Sequence, residues 1–122
     1  MTTAPVSVRL PELYDPATGR LDAERIARYL GVPLSKLAVV LGRKYSTLHK
    51  TPAAPAVQPA LASLKHTLDM LDEVLGERAV ILAWLNSPHP DLGGRTPWEA
   101  FQQGYGDAVE HMLQNALWGI PS

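Results

Sequence analysis

Residues 34–50 read LSKLAVVLGRKYSTLHK, and the reading of this stretch decides the front of the fold. Leu34, Leu37, Ala38 and Leu41 fall at helical spacing, so one face of a short helix over residues 34–41 is apolar. Ala38 is small, as it must be where two helices cross closely. Gly42 stands where a left-handed turn is cheap only for glycine. Leu48 then anchors a third helix, over residues 43–50, against the second. Alanine, glycine four residues on and an aliphatic six residues later meet the steric needs of a helix-turn-helix.

Outward from this stretch, Asp22 can cap a helix over residues 23–30 with Ile26, Ala27 and Leu30 on one face, and Gly31 suits its C-terminal position. Before it, VSVRL is either a short edge strand or a tail, and YDPATG is a turn. After it, TPAAPAVQP, with prolines at 52, 55 and 59, predicts a tight extended connection that marks the boundary between halves. Pro59 starts a fourth helix of roughly residues 60–75. Its leucines at 61, 64, 68, 71 and 75 are spaced 3, 4, 3, 4, which fits one amphipathic helix in a globular core better than a dimer seam.

Residues 77–85 contain AVILAWL and are apolar nearly all round, which predicts a buried central helix with Trp84 in the core. Thr96-Pro97-Trp98-Glu99 has the form of a capping box with proline at the first helical position, and that helix should end near Gly104. Val109, Met112, Leu113, Ala116 and Leu117 form the stripe of a last helix that ends at Gly119. The expectation is an all-α protein of about seven helices, divided into a tail at 1–20, a helix-turn-helix region at 21–58 and a helical domain at 59–122.

Composition narrows the function. Of the 122 residues, 46% are apolar and 19% charged, which is globular. No cysteine is present, so disulfides and thiolate metal sites are excluded. The four histidines have no metal-ligand spacing, and no phosphate loop or nucleophile elbow appears. The sequence therefore predicts no active site, no metal and no cofactor. Without a signal peptide or a long apolar run, it fits a cytoplasmic protein.

The net charge of -1 conceals an asymmetry. Residues 1–50 carry eight basic side chains against four acidic ones, and residues 51–122 carry three against eight. A basic front and an acidic back suggest two partners. On the front, Arg43, Lys44, Tyr45, Ser46, Thr47, His49 and Lys50 are the candidate DNA contacts, because Arg and Lys meet phosphates and guanine edges and hydroxyls serve either. A module this small binds weakly alone, which implies a homodimer on symmetric half-sites.

The order of these elements resembles the Xre/MbcA/ParS-type antitoxins of bacterial toxin–antitoxin pairs. The specific part is the C-terminal pattern, over about residues 79–120: a Trp-Leu helix, Asn-x-Pro, Leu-Gly-Gly, x-x-Pro-Trp, then a glycine and a last amphipathic helix. The front match, about 22–50, has the Xre-like form. Arg43 and Lys44 depart from it, standing where an aliphatic residue and a Ser or Thr cap are common.

The resemblance implies a toxin-binding C-terminal domain whose partner is a RES-domain toxin that degrades NAD. It implies blocking of that toxin's active site, and repression of the operon's own promoter through operator DNA. The candidate toxin contacts are Pro88, Gly93, Gly94, Arg95, Pro97, Trp98, Trp118 and Ile120. Proline stiffens the loop before docking while glycine lets it turn tightly, and Trp and Arg are enriched at interface hot spots. The alternative is a stand-alone helix-turn-helix regulator whose C-terminal half only dimerises.

Overall fold

The computed structural model describes residues 8–118, apart from the side chain of Trp118. Seven α-helices occur among them: α1 (Ala23–Leu30), α2 (Leu34–Leu41), α3 (Tyr45–Lys50), α4 (Gln58–Leu75), α5 (Arg78–Leu85), α6 (Pro97–Gln102) and α7 (Gly106–Trp118). The all-α expectation holds. Val8 and Arg9 form no strand, and the only sheet-like pairing among the described residues is a single antiparallel bridge between Tyr14 and Leu21.

The helix ends follow the local chemistry. The Asp22 side chain accepts from the Arg25 amide at 3.1 Å, and Gly31 closes α1 in the left-handed region. Gly42 closes α2 the same way, its amide donating to the carbonyls of Ala38 and Val39. Lys44 precedes α3 without a side-chain cap, so α3 starts at Tyr45, two residues later than predicted, and is only six residues long. The proline-rich connection is not fully extended. It contains a 3-10 turn at Pro55–Val57, and α4 begins at Gln58.

That connection is clamped. Gln58 donates to the carbonyls of Leu21 and Ala54 at 2.9 and 3.2 Å and accepts from the Leu21 amide at 2.9 Å. Arg20 Nε donates to the Ala53 carbonyl at 2.8 Å. These bonds satisfy backbone groups that a proline-rich run leaves without regular partners.

One buried apolar cluster runs from Leu13 through α1, α2, α3 and α4 to Val109 and Leu113 of α7. Leu61, Leu64, Leu68 and Leu71 of α4 all lie within it, so the leucine seam is consumed inside the chain. Lys65, also buried, keeps its ammonium 2.7 Å from Asp69 Oδ1 and 5.2 Å from the centre of the Tyr14 ring. A buried cation is tolerated only with such partners.

The structure corrects the reading of α5. Only Ile81 and Leu85 are buried, while Ala79 and Ala83 are exposed and Val80 retains 42% of its surface. Trp84 is half-buried against the core. The helix packs on α4 and α6, and its Val80 side is left exposed among the described residues. An all-round apolar composition says that a helix can be buried, not that enough neighbours exist to bury it.

Candidate functional site

Two surfaces carry the residues singled out by the sequence. The first is the rim between α5 and α6. Here residues 86–96 fold into a compact loop around a 3-10 turn at Pro90–Leu92. The loop's bonds are local. The His89 carbonyl accepts from the Gly94 amide at 3.0 Å, and the His89 amide donates to the Arg95 carbonyl at 3.0 Å. The His89 ring lies against Trp84, 4.8 Å between centroids, with Nε2 3.3 Å from the Trp84 carbonyl. Gly93 and Gly94 both adopt positive φ, 66° and 83°, where side chains with a Cβ are strained.

Arg95 organises the rim. Its Nε donates to Gln103 Oε1 at 2.7 Å and its Nη1 to the Leu92 carbonyl at 3.2 Å. Its guanidinium also lies over the Tyr105 ring at 5.0 Å. The sequence singles out Arg95 as a candidate toxin contact; its side chain is half-buried and engaged within the chain. The capping box is as predicted: Thr96 Oγ1 accepts from the Glu99 amide at 3.0 Å, and Glu99 Oε1 accepts from the Thr96 amide at 2.9 Å. The bond from the Thr96 backbone, and then its side chain, hold the Glu99 carboxyl below the ordinary glutamate range, with Arg95 adding to the effect.

Of the other rim candidates, Pro88, Gly93 and Gly94 are exposed and Trp98 is half-buried. Pro97 is fully buried, so it shapes the rim from within and presents no surface. The Trp118 side chain and Ile120 lie outside the described residues. The structure adds a feature that the sequence reading missed. Two adjoining hollows, of about 220 and 290 Å³, run between the rim and α7 and share Asp91 and Ala108 in their walls. Tyr105, half exposed, lines the first, and His111 and Met112 line the second. The hint was an aromatic set between two glycines, Gly104 and Gly106, at a helix corner.

The second surface is α3 and the turn before it. Leu48 points inward and is fully buried, while Arg43, Lys44, Tyr45, Ser46, Thr47, His49 and Lys50 are all exposed. Tyr45 and His49, one turn apart, stack at 5.5 Å and 15°. No Asp or Glu occurs between Glu24 and Asp69, whereas seven Lys and Arg do. This face therefore has no acidic side chain of its own stretch to neutralise it.

Comparison with known families bears on the rim. Residues 70–119 match the model of the antitoxin Xre/MbcA/ParS C-terminal toxin-binding domain. Over these residues the chain is similar to that antitoxin domain. No curated protein and no solved structure gives a significant match to the chain. The Xre/MbcA/ParS segment spans the end of α4, all of α5 and α6, the rim, both hollows and α7. The α2–α3 pair lies outside it. Among the described residues, no group of three His, Asp or Glu could hold a metal ion, and no helix is long and apolar enough to cross a membrane.

Proposed function

We propose that this chain is the antitoxin of a type II toxin–antitoxin pair, acting by binding rather than by catalysis. The match of residues 70–119 to an antitoxin toxin-binding domain carries this reading. The rim geometry supports it: a loop held by its own hydrogen bonds loses little entropy on docking, and a groove lined by Tyr105 and Met112 offers apolar area beside it. The toxin contacts are the exposed Pro88, Gly93 and Gly94, the half-buried Arg95 and Trp98, and the terminal Trp118 and Ile120. The partner is a RES-domain, NAD-degrading toxin whose active site the antitoxin covers.

The front half, in this proposal, is a helix-turn-helix that holds operator DNA through α3 and represses the operon. It does so as a homodimer within the toxin complex, in the cytoplasm. The exposed basic face of α3 supports this, as does the absence of acids from residues 25–68. The rival reading, a regulator whose back half only dimerises, drew on the α4 leucine seam. Four of those five leucines are buried within the chain itself, and Leu75 is partly buried.

The test is co-expression with the product of the adjacent reading frame, followed by mass measurement of the purified assembly. A stable complex that lacks toxin activity is the expected result. Two proteins that separate on purification, with the toxin still active, would overturn the proposal.

A further inference from the structure

A cleft of about 370 Å³ lies where α5 meets α1, and it shares no lining residue with the rim or α3. Its walls are Glu12, Arg25, Arg28, Tyr29 and Arg78. Three guanidiniums facing one cleft repel one another unless something negative joins them. The carboxylates nearby meet that need only in part. Glu24 pairs with Arg28 at 3.3 Å, but both side chains are more than half exposed. Asp72 is taken by Arg9 at 3.0 Å. Glu12 offers Arg25 its backbone carbonyl, at 3.4 Å.

Arg78 is fixed through its Nε only. Its Nε donates to the Tyr29 carbonyl at 2.8 Å and its guanidinium lies 5.6 Å from the Tyr29 ring, while its two Nη groups have no hydrogen-bond partner among the described residues. Tyr29 is packed beside these arginines: it is 7% exposed, and its hydroxyl is enclosed with no hydrogen-bond partner among the described residues. Burial, then Asp72 and Glu12, push that hydroxyl's pKa up against the pull of Arg78.

We propose that this cleft binds a phosphoryl group. Paired N–H donors on planar guanidiniums match phosphoryl oxygens two at a time. The volume has room for a pyrophosphate or a phosphorylated small molecule rather than a lone halide. Bound there, the anion would join Arg25 and Arg28 of α1 to Arg78 of α5 and so brace the front of the chain against the back.

The test is calorimetric titration of the full chain with inorganic pyrophosphate at fixed ionic strength. We expect saturable binding at one site. Arg25→Gln should weaken it about tenfold, the usual effect of losing one charge-assisted hydrogen bond. Arg28→Gln should weaken it by a similar factor. Lys44→Glu with Lys50→Glu should bind as the parent does, which separates this cleft from α3. No saturable binding by the parent, or binding untouched by both Arg25→Gln and Arg28→Gln, overturns the proposal. Operator DNA distinguishes the source of the phosphoryl group. If Arg25→Gln lowers DNA affinity and pyrophosphate competes, the backbone of DNA supplies it; if DNA binding is unchanged, a free phosphorylated ligand does.

Discussion

The Arg95 guanidinium covers the ring of Tyr105 at 5.0 Å, and this stack ties the rim to the corner between α6 and α7. The same side chain reaches Gln103 and the Leu92 carbonyl, so one residue joins the rim loop to that corner. Gly93 is part of the arrangement. A Cβ built on it would lie 3.1 Å from Arg95 Nη1, and its φ of 66° already disfavours any other residue.

Arg95→Lys should not substitute for arginine. An ammonium is a point donor and cannot stack flat on Tyr105 while also serving Gln103 and Leu92. Both Arg95→Lys and Arg95→Ala are expected to lose about 1–2 kcal/mol of stability and to speed dissociation from the toxin. Urea unfolding and surface plasmon resonance would measure the two effects. Full stability in Arg95→Lys would show that charge alone matters.

The capping box gives a pH dependence with a defined sign. Folding lowers the Glu99 pKa, so the folded state favours the ionised form. The stability this gives is complete above the ordinary value of 4.5, declines as pH falls through it, and is lost below the folded value. Glu99→Gln should therefore lower stability slightly at neutral pH, where the ionised form contributes, and leave the acid end little changed, so that the curve between them is flatter. Thr96→Ala should cost about 1 kcal/mol at neutral pH through loss of the cap. Thermal melts from pH 3 to 7 would show both; a curve as steep in Glu99→Gln as in the parent would remove the box as its cause.

How far the sequence could be read depends on where each determinant lies. Helix ends set by local chemistry were legible: Asp22, Gly31, Gly42 and Thr96 each act on a backbone group within a few residues. Features set by distant partners were not. Nothing in AVILAWL reports that α5 lacks a neighbour on its Val80 side, and nothing near Arg95 reports that Gln103 and Tyr105 will capture it. Pro97 shows a subtler limit, because its fitness for the first helical turn was visible while its burial was not. The cleft of Arg25, Arg28 and Arg78 joins residues some fifty positions apart, and no motif spans that distance.

Leu68→Ala tests where the α4 seam is used. Leu68 is 1% exposed within the chain's own core. Truncation should cost about 2–5 kcal/mol, read as a lower urea midpoint at every protein concentration. A loss that grows with dilution would instead place Leu68 between two copies of the chain.

If the rim holds the toxin, Trp98→Ala and Trp118→Ala should each weaken the complex about tenfold or more, as truncation of an aromatic anchor does. Trp98 packs against the core, so its replacement also lowers stability, and the comparison belongs well below the melting midpoint. Circular dichroism would check the fold, and co-purification the complex. Retention of the toxin by both variants would move the contact away from these indoles.

Lys44→Glu combined with Lys50→Glu separates the two proposed activities. Both side chains are exposed, and neither has an ion-pair partner among the described residues, so the exchange should leave the fold intact. On DNA the effect should be large. Each lost phosphate contact lowers the salt slope of binding by about 1, and each new carboxylate adds repulsion. Promoter retardation should vanish while toxin neutralisation, carried more than thirty residues further along the chain, persists. Loss of neutralisation with DNA binding unchanged would invert the assignment of the two faces. Loss of both would mean that the toxin is held across the front and the back of the chain together.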